Sequence, residues 1–495
     1  MAQDRIAERF RSKIISAEQA AELIKDGMVV GASGFTKAGD AKATLKALAE
    51  KAKKNPLKIN LMTGASLGHN LDGLLAEAGA IARRMPFQSD ATLRKKINTG
   101  EVMFTDPHLG ETAELLAYGF LPAVDIAVIE VAAIYDDGSV LPTTSIGNNL
   151  TYARHAKEII LEVNTTIPLE IRGFHDIFAT GISPQRSIIP VTEASTRIGT
   201  ETMPIDPLKV VGVVLSDIKD SPVDLSAVDD KTQAISNHLM EFFNYEVKKG
   251  RLTANLPPLQ TGIGNIANAV FSGFQKGPFE NLKMYSEVLQ DSTFDLIDTG
   301  KMAFASACSF AVTEACYERF FNNLDHYRGK ILLRPEKISN SPEVIRRLGV
   351  IAINTAIEFD LYGNVNSTHI GGNKMMNGIG GSGDFARNSY LSIFVTQSAS
   401  KNNSISHVVP MVTHVDSNEH DVDILVTDQG LADLRGLAPR ERALRVIENC
   451  CHPEYRDQLK SYYKDAVARG GHTPHIIERA FSWHQNFNER GTMKF

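Results

Sequence analysis

Short runs of Val, Ile and Leu recur along the chain, and near its start each is followed by a stretch of helical periodicity. Ser16 and Gln19 stand at capping-box spacing before Ala-Ala-Glu-Leu-Ile-Lys, a helix stopped at Gly27. Residues 28–31 then read as a strand, 43–54 as a helix, 59–62 as a strand and 71–82 as a helix. Later runs at 126–129, 159–163 and 210–214 fit strands buried on both faces. Parallel neighbours need a crossover, usually helical, so this alternation predicts an α/β fold with helices on the faces of a parallel sheet.

Of the 495 residues 43% are hydrophobic and 22% charged, which excludes a disordered, collagen-like or coiled-coil chain and leaves room for two to four domains. With 52 Lys+Arg against 58 Asp+Glu, the net charge of −6 argues against a dedicated nucleic-acid or anionic-membrane surface. Four cysteines, Cys308, Cys316, Cys450 and Cys451, are too few for a disulfide framework. The start is charged, without the apolar core of a secretory signal, and no apolar run approaches the ~18 residues of a membrane span. A soluble cytoplasmic protein is the expectation.

The acidic, turn-rich stretch around 217–232 is the linker candidate and divides the chain into domains at 1–222 and 223–495. The two sides look alike. Ile97-Asn-Thr-Gly100-Glu-Val-Met-Phe104 shares four identities with Ile297-Asp-Thr-Gly300-Lys-Met-Ala-Phe304. Thr63-Gly64 pairs with Thr261-Gly262, Gly138-Ser-Val140 with Gly363-Asn-Val365, and Gly147 with Gly372. This order predicts a tandem duplication.

Chemistry-bearing residues gather in the second half. Gly262, Ile263, Gly264, Asn265 and Ile266 precede an apolar helical run, so their amides could meet an anion at a helix start; a structural turn explains the same residues equally well. The dinucleotide pattern they partly match needs a strand before it, and Leu-Pro-Pro-Leu is a poor one. A second loop, 377–385, holds four glycines in six positions, an entropic cost that close approach of backbone to a ligand explains. Between the loops stands Glu287, in Met-Tyr-Ser-Glu-Val-Leu-Gln. An ordinary solvent-facing carboxylate is the usual reading of such a residue. However, the expected counterpart in the first half, Met85-Pro-Phe-Gln88, carries none. The spacing of His407, His414 and His420, and of the Cys450-Cys451-His452 group, matches no zinc pattern, so no metal is expected. A nucleophile elbow and a P-loop lysine are also missing.

The segment Tyr285-Ser-Glu287-Val-Leu-Gln, with Gly262-Ile-Gly-Asn-Ile before it and Asn377-Gly-Ile-Gly-Gly-Ser-Gly-Asp-Phe after it, resembles the acetyl-CoA hydrolase/transferase family. Within that family it looks most like bacterial succinyl-CoA or propionyl-CoA:carboxylate CoA-transferases, and the likeness runs over nearly the whole chain. The resemblance implies two open α/β domains of the CoA-transferase (NagB/RpiA-like) type in a homodimer. It also implies ping-pong exchange of CoA between short-chain acids through a thioester on Glu287, with coenzyme A as co-substrate and no permanently bound cofactor. Gly262–266 and Gly381 would supply backbone donors to oxyanions. Asn377 and Lys401 match CoA contacts, and Asn340 matches an asparagine near the acyl group, although it could equally be an N-cap before Pro342. Ser66 would help to hold the substrate carboxylate. Asp428 stands where the family commonly has a glutamate that supports the nucleophile, one methylene shorter here. Two other readings remain: an acyl-CoA hydrolase using the same glutamate, and a CoA- or dinucleotide-binding protein without covalent chemistry.

Overall fold

The computed structural model describes residues 2–184, 186–400 and 402–495, so Lys401 lies outside the described residues. By contacts the chain forms two compact units. Unit 1 comprises Met1–Asp224, Met284–Ile297 and Ala303–Leu348; unit 2 comprises Leu225–Lys283, Asp298–Met302 and Gly349–Phe495. The first segment of unit 1 thus ends two residues after the expected division at 222, while two later segments return to unit 1. The linker itself, 217–229, carries no regular element, and Asp229 caps the helix Asp230–Lys248 by accepting from the N–H of Thr232.

Unit 1 is built on seven strands: β1 (Val29–Ala32), β2 (Ile59–Met62), β3 (Ile81–Met85), β4 (Met103–Phe104), β5 (Ile126–Val131), β6 (Glu158–Asn164) and β7 (Val210–Ser216). They pair in the order β7-β6-β5-β1-β2-β3-β4, all parallel. β1 and β5 are buried throughout, consistent with strands covered on both faces. One expectation fails locally: the helix from Leu71 stops at Glu77 instead of 82. Gly79, at φ +68°, ends it, and Ile81 opens β3.

The strands of the second half are β8 (Leu259–Thr261), β9 (Leu282–Tyr285), β10 (Met302–Ala307), β11 (Ile331–Leu333), β12 (Ile351–Thr355), β13 (Leu391–Val395), β14 (Ile424–Thr427) and β15 (Gly430–Asp433). In unit 2, β8-β12-β13-β14 neighbour one another in parallel, with β15 antiparallel at the end. β9, β10 and β11 run side by side, with β11, the C-terminal end of β9 and all of β10 after Met302 in unit 1. The first run repeats β1-β5-β6-β7 and the second repeats β2-β3-β4, so strand n of the first half corresponds to strand n+7 of the second. The fold is α/β and tandemly duplicated.

Strand order corrects the pairing of residues expected from local likeness. Ile97–Phe104 leads into β4, but Ile297–Phe304 leads into β10, the counterpart of β3. Both stretches end a helix on a glycine with positive φ, +79° at Gly100 and +75° at Gly300. That is a device any helix-to-strand turn can use. Thr63-Gly64 follows β2, whereas Thr261-Gly262 ends the counterpart of β1. Gly138 and Gly363 do correspond: each turns an antiparallel hairpin after β5 or β12, at φ +90° and +96°. The counterpart of Glu287 is therefore the loop after β2, at Gly64, and not Gln88. It too lacks a carboxylate.

Candidate active site

β9 carries the chain to Ser286 and Glu287 at its C-terminal end. The backbone there is tied down at every step. Ser286 N–H donates to the carbonyl of Ser306 at 2.9 Å, and the carbonyl of Glu287 accepts from the N–H of Cys308 at 2.9 Å and from its thiol at 3.1 Å. Residues 288–289 then pair in parallel with 309–310. A half-buried Glu287 side chain projects from this fixed backbone, and its Oε2 accepts from Nδ2 of Asn340 at 3.1 Å.

Asn340 is fully buried and closes the short helix Glu336–Ser339, its N–H donating to the carbonyl of Glu336 at 2.8 Å. Ser341, not Asn340, stands directly before Pro342, where the next helix begins. The short helix is braced from several directions. Glu336 N–H reaches the carbonyl of Gly147 at 3.0 Å, Asn148 Nδ2 donates to Glu336 Oε1 at 3.1 Å, and the hydroxyl of Tyr285 donates to the carbonyl of Ile338 at 2.5 Å. Buried Arg334, paired with Asp176, donates to Ser306 Oγ at 2.8 Å and so ties the approach to this helix to β10. Cys308 is the neighbouring thiol. Burial, then the carboxylates of Glu336 and Glu287, push its thiol well above the usual range, so it stays protonated.

Ser66 lies buried in the loop after β2, the structural counterpart of the Glu287 loop. That loop is locked by Thr63 Oγ1 and Arg84 Nη2, both donating to the carbonyl of Ala65, at 2.5 and 3.0 Å, and by Tyr152, whose hydroxyl donates to the carbonyl of Thr63 at 2.7 Å. Ala65, beside Ser66, and Val288, beside Glu287, belong to one buried cluster with Phe35, Leu109, Cys308 and Ala311. Unit 1 thus brings the neighbourhoods of Glu287, Asn340 and Ser66 together around an apolar patch.

Unit 2 holds the glycine loops. A strand does precede the first, but it begins only after the prolines, at Leu259. Gly262 N–H is committed to the carbonyl of Ile353 at 3.0 Å, so a ligand would meet the first-turn amides of the helix Asn265–Ser272 instead. A Cβ at Gly264 would touch nothing within 4 Å; its φ of +107° is what calls for glycine. In the second loop Gly378 and Gly380 also have positive φ, and buried Gly381 leads into the helix Ser382–Asn388, with half-buried Asn377 at the loop's start. Both oxygens of Asp428 serve its own unit. Oδ1 accepts from Ser398 N–H at 2.5 Å, and Oδ2 from Ser398 Oγ at 3.1 Å and Gln429 Nε2 at 2.8 Å.

A cavity of about 550 Å³ lies in unit 2, lined by Asn265, Ile266, Ala356, Thr396, Gln397 and His407 among others. These residues follow the C-terminal ends of β8, β12 and β13, except His407. In the first sheet the strand order reverses between β1 and β5; β8 and β12 are their counterparts, and α/β sheets bind ligands at that position. Sequence reasoning gave Thr396 and Gln397 no role and weighed His407 only as a metal ligand. Among the described residues no group of three or more His, Cys, Asp or Glu side chains is arranged to hold a metal ion.

A duplicated α/β scaffold with a braced carboxylate in one unit and a cavity beside the C-terminal ends of β8, β12 and β13 in the other defines the class. The acetyl-CoA hydrolase/transferase N-terminal domain matches residues 1–215 and its C-terminal domain residues 317–463. The chain is 47% identical over 489 residues to a succinyl-CoA:acetate CoA-transferase of Clostridium kluyveri, covering 98% of this chain and 91% of that protein. It is 44% identical over 485 residues to a propanoyl-CoA:succinate CoA transferase of Escherichia coli, covering 97% and 98%. A further relative, 44% identical over 505 residues and covering 98% and 96%, is an acetyl-CoA hydrolase of Eremothecium gossypii. Among solved structures, RipA from Yersinia pestis shares the fold at 22% identity, with a TM-score of 0.72 over 94% of this chain and 99% of that chain. The chain belongs to the acetyl-CoA hydrolase/transferase family.

Proposed function

We propose that this protein is an acyl-CoA:carboxylate CoA-transferase that exchanges CoA between short-chain acids such as acetate, propionate, butyrate and succinate, with Glu287 as nucleophile. The observation that carries this reading is the half-buried Glu287 carboxylate with the Asn340 amide on Oε2. Glu287 attacks the acyl-CoA carbonyl and expels CoA thiolate, leaving a mixed anhydride. The thiolate attacks the glutamyl carbonyl, releases the first acid and leaves a thioester on Glu287. An acceptor carboxylate reverses both steps. Each exchange is near-isoenergetic because nucleophile and substrates are all carboxylates. When the thiolate adds to the glutamyl carbonyl, negative charge develops on a carboxyl oxygen of Glu287, where the Asn340 amide is placed to stabilise it.

Coenzyme A enters as co-substrate, with its binding assigned to 262–266, Asn377, Gly381, Lys401 and the cavity beside Asn265. Ser66 is assigned to the substrate acid, and Asp428 to positioning its own loop. Residues 1–222 and 223–495 are read as the two repeats, and the working form as a cytoplasmic homodimer. Hydrolysis of the same thioester is the second reading, favoured by the 44% identity to an acetyl-CoA hydrolase. Following free thiol from acetyl-CoA and from propionyl-CoA, with and without acceptor acid, separates the two. The transferase reading expects new acyl-CoA only when acceptor is present; steady thiol release independent of acceptor sinks it.

A further inference from the structure

His407 lines the unit 2 cavity, and its ring is set by its neighbours. Nδ1 lies 2.8 Å from the carbonyl of Gln397 and 3.4 Å from Thr396 Oγ1. A carbonyl can only accept, so Nδ1 carries a proton, and in the neutral ring Nε2 carries the lone pair. The backbone on both sides is held as well: His407 N–H donates to the carbonyl of Ser398 at 3.0 Å, and Phe359 N–H donates to the carbonyl of His407 at 2.9 Å. The result is a rigid, neutral acceptor on the wall of a cavity whose rim is the first turn of the helix Asn265–Ser272.

We propose that His407 is a positioning residue of the CoA site, its Nε2 accepting a hydrogen bond from a neutral N–H or O–H of the coenzyme. This rests on the transferase reading above. Coenzyme A offers such donors in two places, the amides of the pantetheine arm and the hydroxyl and amino groups of the adenosine. Burial of the ring holds its proton affinity below that of an ordinary histidine. The charged groups acting on it are Glu358 and Asp428, which favour the protonated ring, and Lys231, which disfavours it; Asp229, on the cavity wall, is bonded to Gln397. Protonation turns Nε2 into a donor facing a donor, so coenzyme binding weakens as pH falls below the usual histidine range.

The test is steady-state kinetics of wild type, His407→Phe and His407→Gln with acetyl-CoA and with acetyl-pantetheine, from pH 5 to 8. One lost hydrogen bond predicts that His407→Phe raises KM for acetyl-CoA about fivefold at pH 7. In that variant kcat and the KM for the acceptor acid stay within about twofold, and the acid-side rise in KM disappears. His407→Gln, which restores an amide oxygen at the acceptor position, recovers most of the affinity. If the penalty also appears with acetyl-pantetheine, the donor is a pantetheine amide; if only with acetyl-CoA, it is in the adenosine. An unchanged KM and pH profile in His407→Phe, or a loss confined to kcat, overturns the proposal. Intact mass measured alongside separates the two readings, since an adduct on Glu287 with an indifferent His407 defeats only this inference. No adduct in any variant defeats the reading beneath it.

Discussion

Replacing Asn340 tests whether the amide on Glu287 takes part in the chemistry or only packs against it. The Nδ2 group sits 3.1 Å from Oε2 on a fully buried side chain. A hydrogen bond to a charged group contributes about 1.5–3 kcal/mol, which as transition-state stabilisation is about 10- to 150-fold in rate. Asn340→Ala is therefore expected to slow thioester formation by that factor, read as CoA-adduct growth by quenched-flow mass spectrometry, with kcat falling more than KM. The buried cavity it leaves costs stability too, so thermal melting must accompany the kinetics. Asn340→Asp keeps the shape and makes a second argument. Two carboxylates at that distance disfavour each other's ionisation, so its rate should climb with pH across a range where the wild type is flat. A melting-competent Asn340→Ala enzyme with adduct formation within twofold of wild type would refute the reasoning.

Two further outcomes follow from buried charge in unit 1. Lys42, 1% exposed, bridges Glu130 at 2.5 Å and Asp220 at 2.8 Å, so Lys42→Met leaves buried acids uncompensated and should cost about 3–5 kcal/mol in urea unfolding; a loss under about 1 kcal/mol contradicts this. Burial depresses the proton affinity of His175 to about 4, while its Nε2 stays bonded to the carbonyl of Thr143 at 2.8 Å. The unfolded chain therefore binds a proton below about 6.5 that the native state refuses until about 4, and stability falls by about 3 kcal/mol over that window as pH drops. His175→Phe should flatten this part of the stability profile; an unchanged slope shows that other groups carry it.

Strand alternation was legible because apolar runs of β-branched residues need no partner to be recognised: the run at 59–62 is β2, and 126–129 and 159–163 lie within β5 and β6. The boundary at 71–82 failed because Gly79 breaks the helix through a backbone angle that hydrophobic periodicity does not register. Duplication was legible, yet its frame was not. The same Thr-Gly stop ends the helices before β4 and before β10, which belong to non-equivalent βα units, and only hydrogen-bonded strand order tells the two units apart. Glu287 stood out from its motif, but its tether to Cys308 and Asn340 joins segments 21 and 53 residues away, a distance no local pattern spans. The cavity was the least visible feature. Its walls come from the end of the linker and the helix start at 226–232, the loops after β8, β12 and β13, and His407, which share nothing in sequence except the topology that gathers them.

The account stands or falls on whether Glu287 carries coenzyme A. Incubating the wild type and Glu287→Ala with acyl-CoA in the absence of acceptor, and measuring intact mass, addresses this directly. The expected result is a gain of one coenzyme A less one water on the wild type, lost when acceptor acid is added and missing from Glu287→Ala. An unmodified wild type, or the same gain in both proteins, contradicts it.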